Sequence, residues 1–185
     1  MTYETTAGKL LLATPAIGDG NFEQSVIFML HHDPVGALGV VINRPTELTI
    51  DELLPRWAEV ATGPAVIFGG GPVEPNGFIG VARSTGEAPE NAARVGDTDL
   101  VTVDLDGDPV LTGALVDRLR IFRGYSGWGP LQLDTELAAG AWFTLDAEPG
   151  DLWTGEPALL HEQVLRRQSG EVRWFANAPL DPTQN

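Results

Sequence analysis

Three segments of this chain carry residue types that can grip a ligand: Asn43-Arg44-Pro45, Gly69-Gly70-Gly71-Pro72-Val73 and Tyr125-Ser126-Gly127-Trp128-Gly129-Pro130. Arg44 offers the planar fork that clamps a carboxylate or phosphate through two parallel hydrogen bonds. Consecutive glycines free backbone amides and permit tight turns, which suits either an anion cradle or a close-packed corner. Tyr125 and Trp128 alternate with residues that release the backbone, so they can line an apolar groove or lock a corner against the core. For each segment the packing role is the stronger of the two readings. If Asn43, Arg44, Gly69, Gly70, Gly71, Tyr125 and Trp128 met in one crevice, they would supply donors, amides and an aromatic wall for a small molecule.

Catalytic patterns are harder to find. The glycine run lacks the Lys-Ser or Lys-Thr of a phosphate loop and the G-x-G-x-x-G of a dinucleotide fold. Ser25 and Ser126 lie outside any G-x-S-x-G elbow, and a serine needs a positioned base to react. His31 and His32 are adjacent, so on a strand they face opposite ways and cannot easily share a metal. His161 has no helically spaced partner, and a zinc site needs three or four convergent ligands. Asp104, Asp106 and Asp108 imitate a calcium loop, but glycine falls at 107 instead of 109 and Leu115 stands where the closing Glu belongs. That segment reads as a solvated hairpin turn. The chain has no cysteine, hence no thiolate nucleophile, disulfide or thiolate metal site. No metal and no cofactor are expected.

The elements that must position these residues read as short strands and short helices. Leu10-Leu11-Leu12-Ala13, Val26-Ile27-Phe28-Met29-Leu30 and the run 37–42 are too short for buried helices. The second and third should form a hairpin through the Pro and Gly of 31–36, and their continuous apolarity predicts burial on both sheet faces. Thr49 and Glu52 form a capping box ahead of a helix cut short by Pro55. Val66-Ile67-Phe68 is a strand, with Phe78-Ile79-Gly80-Val81 as its expected neighbour. The acidic segment 87–99 reads as a surface loop and 100–105 as a strand. Leu111, Leu115 and Leu119 recur four apart and predict a helix over 111–119, with a strand beginning at Ile121-Phe122. Further helices are expected at 131–139 and 158–168, the latter opened by Pro157 and closed by Gly170, with strand Trp142-Phe143-Thr144-Leu145 between them. From about 179 the tail is expected to be extended. This order fits a single α+β domain over 1–185 better than repeated βαβ units.

Bulk composition narrows the function classes. The 185 residues include 26 acidic and 11 basic side chains, for a formal charge of −15, with Lys9 the single lysine. Such a charge repels phosphate backbones and anionic lipid, so no direct nucleic-acid partner is expected. The clusters Arg118, Arg120, Arg123 and Arg166, Arg167, Arg173 could still form local patches. No apolar run approaches the roughly 20 residues that span a bilayer, and the first ten residues lack a signal-peptide pattern. No membrane partner and a cytoplasmic location are the expectation.

Taken together, five segments give the chain a resemblance to a known family. They are Leu11-Leu12-Ala13-Thr14-Pro15, Phe22-Glu23-Gln24-Ser25-Val26, the run 36–45, Gly69-Gly70-Gly71-Pro72-Val73 and the run 124–133. On these the chain resembles the YqgE/AlgH family, also called UPF0301 or DUF179, over nearly its whole length. The resemblance implies a compact α+β domain with coiled, bifurcated sheets. It carries over no catalytic residues, because the family has no accepted ones. Gln132, in the last segment, joins the candidate ligand-binding residues. Leu131 stands where relatives usually have Gly before Gln-Leu-Glu, and Asp134 replaces that Glu. A ligand approaching the backbone at 131 would be crowded by leucine, whereas a packing segment would tolerate it. One family branch bears a label as a transcriptional regulator; the acidic charge and the lack of a helix-turn-helix signal argue against direct DNA contact here.

The expected function is a non-catalytic binding or regulatory domain for a small molecule or protein. Its rival is an enzyme, perhaps a hydrolase, acting on a small polar substrate through His31, Arg44 or a carboxylate. The sequence assigns neither the ligand nor the oligomeric state.

Overall fold

The computed structural model describes residues 4–15 and 22–177. The expected extended tail from 179 lies outside the described residues, as do the first three residues. The chain folds as α+β, with nine strands among the described residues in one branched, mixed sheet and short helices around it.

Strands β1 (Lys9–Ala13), β2 (Val26–Asp33) and β3 (Gly36–Val41) pair antiparallel, and β9 (Trp142–Asp146) adds to the free side of β1. The apolar runs of β2 and β3 are buried on both faces, as the sequence predicts, and so is that of β1. Leu10, Leu12, Val26 and Phe28 enter one cluster, while Leu11, Ile27 and Met29 enter another on the opposite side. Fully burying each such side chain contributes roughly 1.5–3 kcal/mol. The connection from β2 to β3 is shorter than expected. His31 and His32 belong to β2, which leaves Pro34 and Val35 as the turn.

The long strand β8 (Val116–Trp128) is where the sheet forks. Most of its length pairs antiparallel with β6 (Val73–Ser84), which in turn carries β7 (Leu100–Val103). On its other side Phe122 and Arg123 pair parallel with β5 (Val66–Gly69), and β4 (Pro45–Thr49) lies beyond β5. Past Gly124, at φ 68°, β8 changes partners, and Ser126, Gly127 and Trp128 pair with Gly39, Leu38 and Ala37 of β3. β8 therefore separates β5 from β6, which corrects the expectation that Phe78–Val81 lies beside Val66–Phe68. Sequence adjacency lost here to a strand that enters from later in the chain.

Two further expectations are corrected. The predicted helix over 111–119 is a single helical turn, α2 (Pro109–Gly113), followed at Val116 by β8. The fourfold leucine spacing misled because Leu111 is exposed while Leu119 points inward from a strand. The turn at Asp106-Gly107 joins β7 to α2 and is not a hairpin. Asp104 accepts the Asp106 N–H, and Asp108 caps α2 by accepting the Val110 N–H at 2.8 Å. The acidic segment 87–99 is irregular, but Val95 is fully buried and Arg94 bridges to Val101.

The remaining helices follow the sequence closely. Thr49 and Glu52 form the reciprocal capping box of α1 (Ile50–Leu53), and Pro55 starts a separate 3₁₀ turn. Helix α3 (Gln132–Ala138) and helix α4 (Leu160–Arg166) appear where expected, α4 following a 3₁₀ turn that starts at Pro157. α4 buries Leu160, Val164 and Leu165 against the first cluster.

Candidate functional site

Backbone hydrogen bonds tie the three segments singled out from sequence into one knot. Gly69 N–H donates to the Arg44 carbonyl at 2.8 Å, and Gly70 N–H donates to the Arg123 carbonyl at 2.8 Å. The Gly70 carbonyl accepts from Val41 N–H at 2.9 Å and from the buried Ser126 hydroxyl at 3.4 Å. A Cβ at Gly70 would lie 2.3 Å from the Gly124 oxygen, and one at Gly71 would lie 2.3 Å from the Tyr125 carbonyl carbon. These glycines let two backbones cross at contact distance. Asn43 also serves packing, accepting from Val26 N–H at 2.9 Å and donating to the Gln24 carbonyl at 2.8 Å. The Arg44 guanidinium reaches the Glu23 carbonyl at 3.3 Å.

The knot has an open side. Just beyond it, the β2–β3 turn and the last residues of β8 enclose a shallow groove of about 430 Å³. Its walls are Val35, Leu38, Val73, Tyr125 and Trp128, with His31 and Asp33 at the polar end. Two of the eight sequence candidates, Tyr125 and Trp128, line this groove; Asn43, Arg44, the three glycines and Gln132 do not. His31 contributes because β2 turns it outward while His32 is buried, its Nδ1 accepting the Thr6 N–H at 3.2 Å. Asp33 holds the polar end in shape. Its Oδ1 accepts from Val35 N–H at 2.8 Å and Gly36 N–H at 3.1 Å, and its Oδ2 lies 2.9 Å from His31 Nε2. The backbone donor Val35 and the His31 ring both hold the Asp33 carboxyl below the usual carboxylate range, so it stays ionised at neutral pH. Sequence reasoning weighed His31 only as a metal ligand or base and did not single out Asp33. The i, i+2 spacing on one strand, which puts both on the same face, was the available signal.

Trp128 is held by a residue that sequence reasoning also passed over. Glu136 Oε2 accepts the indole N–H of Trp128 at 2.9 Å and that of Trp142 at 2.7 Å. Its Oε1 accepts from Gln132 at 2.9 Å, and Gln132 in turn accepts the Gly129 N–H at 3.0 Å. Gln132 and Glu136 stand four apart on α3, so the pair was visible as a helical spacing. Trp128 and Trp142 meet edge to face with centroids 5.9 Å apart. Trp128 is thereby fixed in the cluster of Leu11, Ile27 and Met29 on the sheet face opposite Leu38 and Tyr125, with its N–H committed to Glu136.

Leu131, just before α3, adopts φ 55° and ψ 9° with a mostly exposed side chain. That backbone region disfavours any residue with a Cβ by about 1 kcal/mol or more. Glycine, which the family resemblance implies at this position, would adopt this conformation without that cost. Leu131→Gly is expected to stabilise the protein by about 0.5–1 kcal/mol in urea unfolding, the relieved strain outweighing the freer unfolded chain.

The arginine clusters form no single patch. Arg118 is exposed, while Arg123 donates to the Pro75 carbonyl at 2.5 Å and to Asn76 at 2.8 Å. Arg120 is fully buried, with its guanidinium 4.2 Å above the Phe68 ring and 3.0 Å from the Gly63 carbonyl. Among the described residues no carboxylate pairs with it, and burial pushes its pKa down to about 10. Because its desolvation is uncompensated by an ion pair, Arg120→Met should leave stability within about 1 kcal/mol or raise it. A loss above about 2 kcal/mol in chemical denaturation would show that its carbonyl bonds outweigh that cost.

Among the described residues no three His, Asp or Glu side chains converge as metal ligands. No helix there is long and apolar enough to cross a membrane.

The architecture is a forked α+β sheet, and comparison with known proteins identifies the family. Residues 10–173 match the DUF179 family model, described as AlgH-like, and the chain belongs to this family. It is similar to a UPF0301 protein of Streptomyces coelicolor, 45% identical over 182 residues that cover 96% of this chain and 94% of the relative. A UPF0301 protein of Mycobacterium leprae is 42% identical, with 97% and 90% covered. Among solved structures, a protein from Corynebacterium diphtheriae superposes with a TM-score of 0.85 at 27% identity, covering 96% of this chain and 95% of its own. The solution structure of AlgH from Pseudomonas aeruginosa gives a TM-score of 0.71 at 27% identity, covering 97% and 98%.

Proposed function

We propose that this protein is a non-catalytic binding domain whose small-molecule ligand seats in the groove between the β2–β3 turn and the end of β8. The observation that carries this reading is convergence. Residues from three distant stretches, 31–38, 73 and 125–128, line one open apolar concavity of about 430 Å³ with a single polar end. Such a lining fits recognition of an apolar body with one oriented polar group. A fragment screen by thermal melting tests it, because selective binding to the folded state raises apparent stability. Hits that stabilise the wild type should fail to stabilise Gly127→Leu, whose added side chain fills the groove from its exposed floor. Hits that stabilise both proteins equally would refute the site.

One observation favours a second reading. A histidine oriented by a carboxylate, as His31 is by Asp33 at 2.9 Å, can act as a general base toward a bound water. Hydrolysis of a hit by the wild type, lost in His31→Gln, would replace binding with catalysis.

A further inference from the structure

The polar end of the groove specifies the charge of what it holds. Its charged or titratable lining residues are His31, Asp33 and Tyr125; no lysine or arginine faces it. Arg123, the nearest arginine along β8, is engaged by Pro75 and Asn76 on the β6 side. Asp33 spends Oδ1 on two backbone donors and Oδ2 on His31, yet the carboxylate keeps its charge and Oδ2 retains an unused lone-pair direction. Tyr125 adds an aromatic ring beside Leu38 and Gly127, whose negative quadrupole attracts cations and repels anions. Trp128 cannot offset this by donating a hydrogen bond to an anion, since its N–H is bound to Glu136. The surrounding field has the same sign: a formal charge of −15 concentrates cations near the surface and depletes anions.

Resting on the groove as the binding site, we propose that its ligand is an organic cation, an apolar or aromatic body carrying one ammonium group. The body lies against Val35, Leu38, Val73 and the Tyr125 ring, and the ammonium sits by Asp33. An anion-binding role would need a donor set that this groove lacks.

Three matched probes separate the charge claim from the site claim: phenethylammonium, phenethyl alcohol and phenylacetate, titrated at one ionic strength into ¹⁵N-labelled protein. Phenethylammonium should shift the Gly36 and Gly127 amides and bind at least fivefold more tightly than the alcohol, with phenylacetate weaker still. Asp33→Asn keeps an Oδ1 acceptor for the Val35 and Gly36 amides while removing the charge, and it should erase the preference for ammonium. Should that variant unfold, Val35→Lys places a cation at an exposed wall residue and should weaken phenethylammonium binding at least fivefold. Equal or tighter binding of the alcohol or phenylacetate at the same amides would overturn the charge assignment and leave the groove standing. Shifts from none of the three probes at these amides would remove both.

Discussion

Gly70→Ala is expected to lower stability by about 3 kcal/mol, because the added Cβ would sit 2.3 Å from the Gly124 oxygen. The obstruction is backbone inside a paired sheet, so it cannot swing aside as a side chain would. Moving it would disturb the bond from Gly70 N–H to Arg123 and the bond from Val41 N–H to Gly70, which join β3, β5 and β8. Gly71→Ala adds backbone strain to the same collision, since Gly71 has φ 152° and its Cβ would meet Tyr125 at 2.3 Å. Gly86 is the control: a Cβ added there would meet nothing within 4 Å. Gly86→Ala should stay within about 0.5 kcal/mol of wild type. Urea unfolding of the three variants checks the contrast. A cost at Gly70 no greater than at Gly86 would mean that the crossing is looser than its contacts indicate.

Replacing Glu136 should produce the second large effect. Its Oε2 is the acceptor for the indole N–H groups of two buried tryptophans. Glu136→Leu leaves both donors without a partner, and an unsatisfied buried donor costs roughly 1–3 kcal/mol, so a total near 3 kcal/mol is expected. Glu136→Gln should cost about half as much. One amide oxygen can still receive the indoles, but its NH₂ then opposes the Gln132 amide, until Gln132 turns over and surrenders its bond to Gly129. Denaturation followed by tryptophan fluorescence reads both the stability and the environment of Trp128 and Trp142.

The strands were legible in the sequence wherever apolar runs are buried on both faces, as in β1, β2 and β3. The capping box at Thr49 and Glu52 was equally plain, since it is a local hydrogen-bond exchange. The path of β8 was not. Leu119, in its first half, follows Leu111 and Leu115 at a helical interval, and its pairing with both β6 and β5 depends on contacts across more than 30 positions of sequence. The site shows the same division. Local chemistry marked Tyr125 and Trp128 as either groove-lining or corner-locking, and the glycine run as either corner or cradle. Backbone pairing across the fork then committed the Gly69 and Gly70 amides to the Arg44 and Arg123 carbonyls. Asp33 and Glu136 escaped notice because a single acid in a chain with 26 acidic residues carries little signal until the fold gives it partners.

The central claim is that ligand binding is confined to the groove beside the glycine crossing. Amide chemical-shift mapping of the strongest melt-screen hit tests this most directly. The account predicts saturable shifts at Gly36, Ala37, Gly127 and Trp128, with the amides of β7 and α4 unmoved. Saturable shifts clustered on β7 or α4, with the four groove amides unmoved, would contradict it.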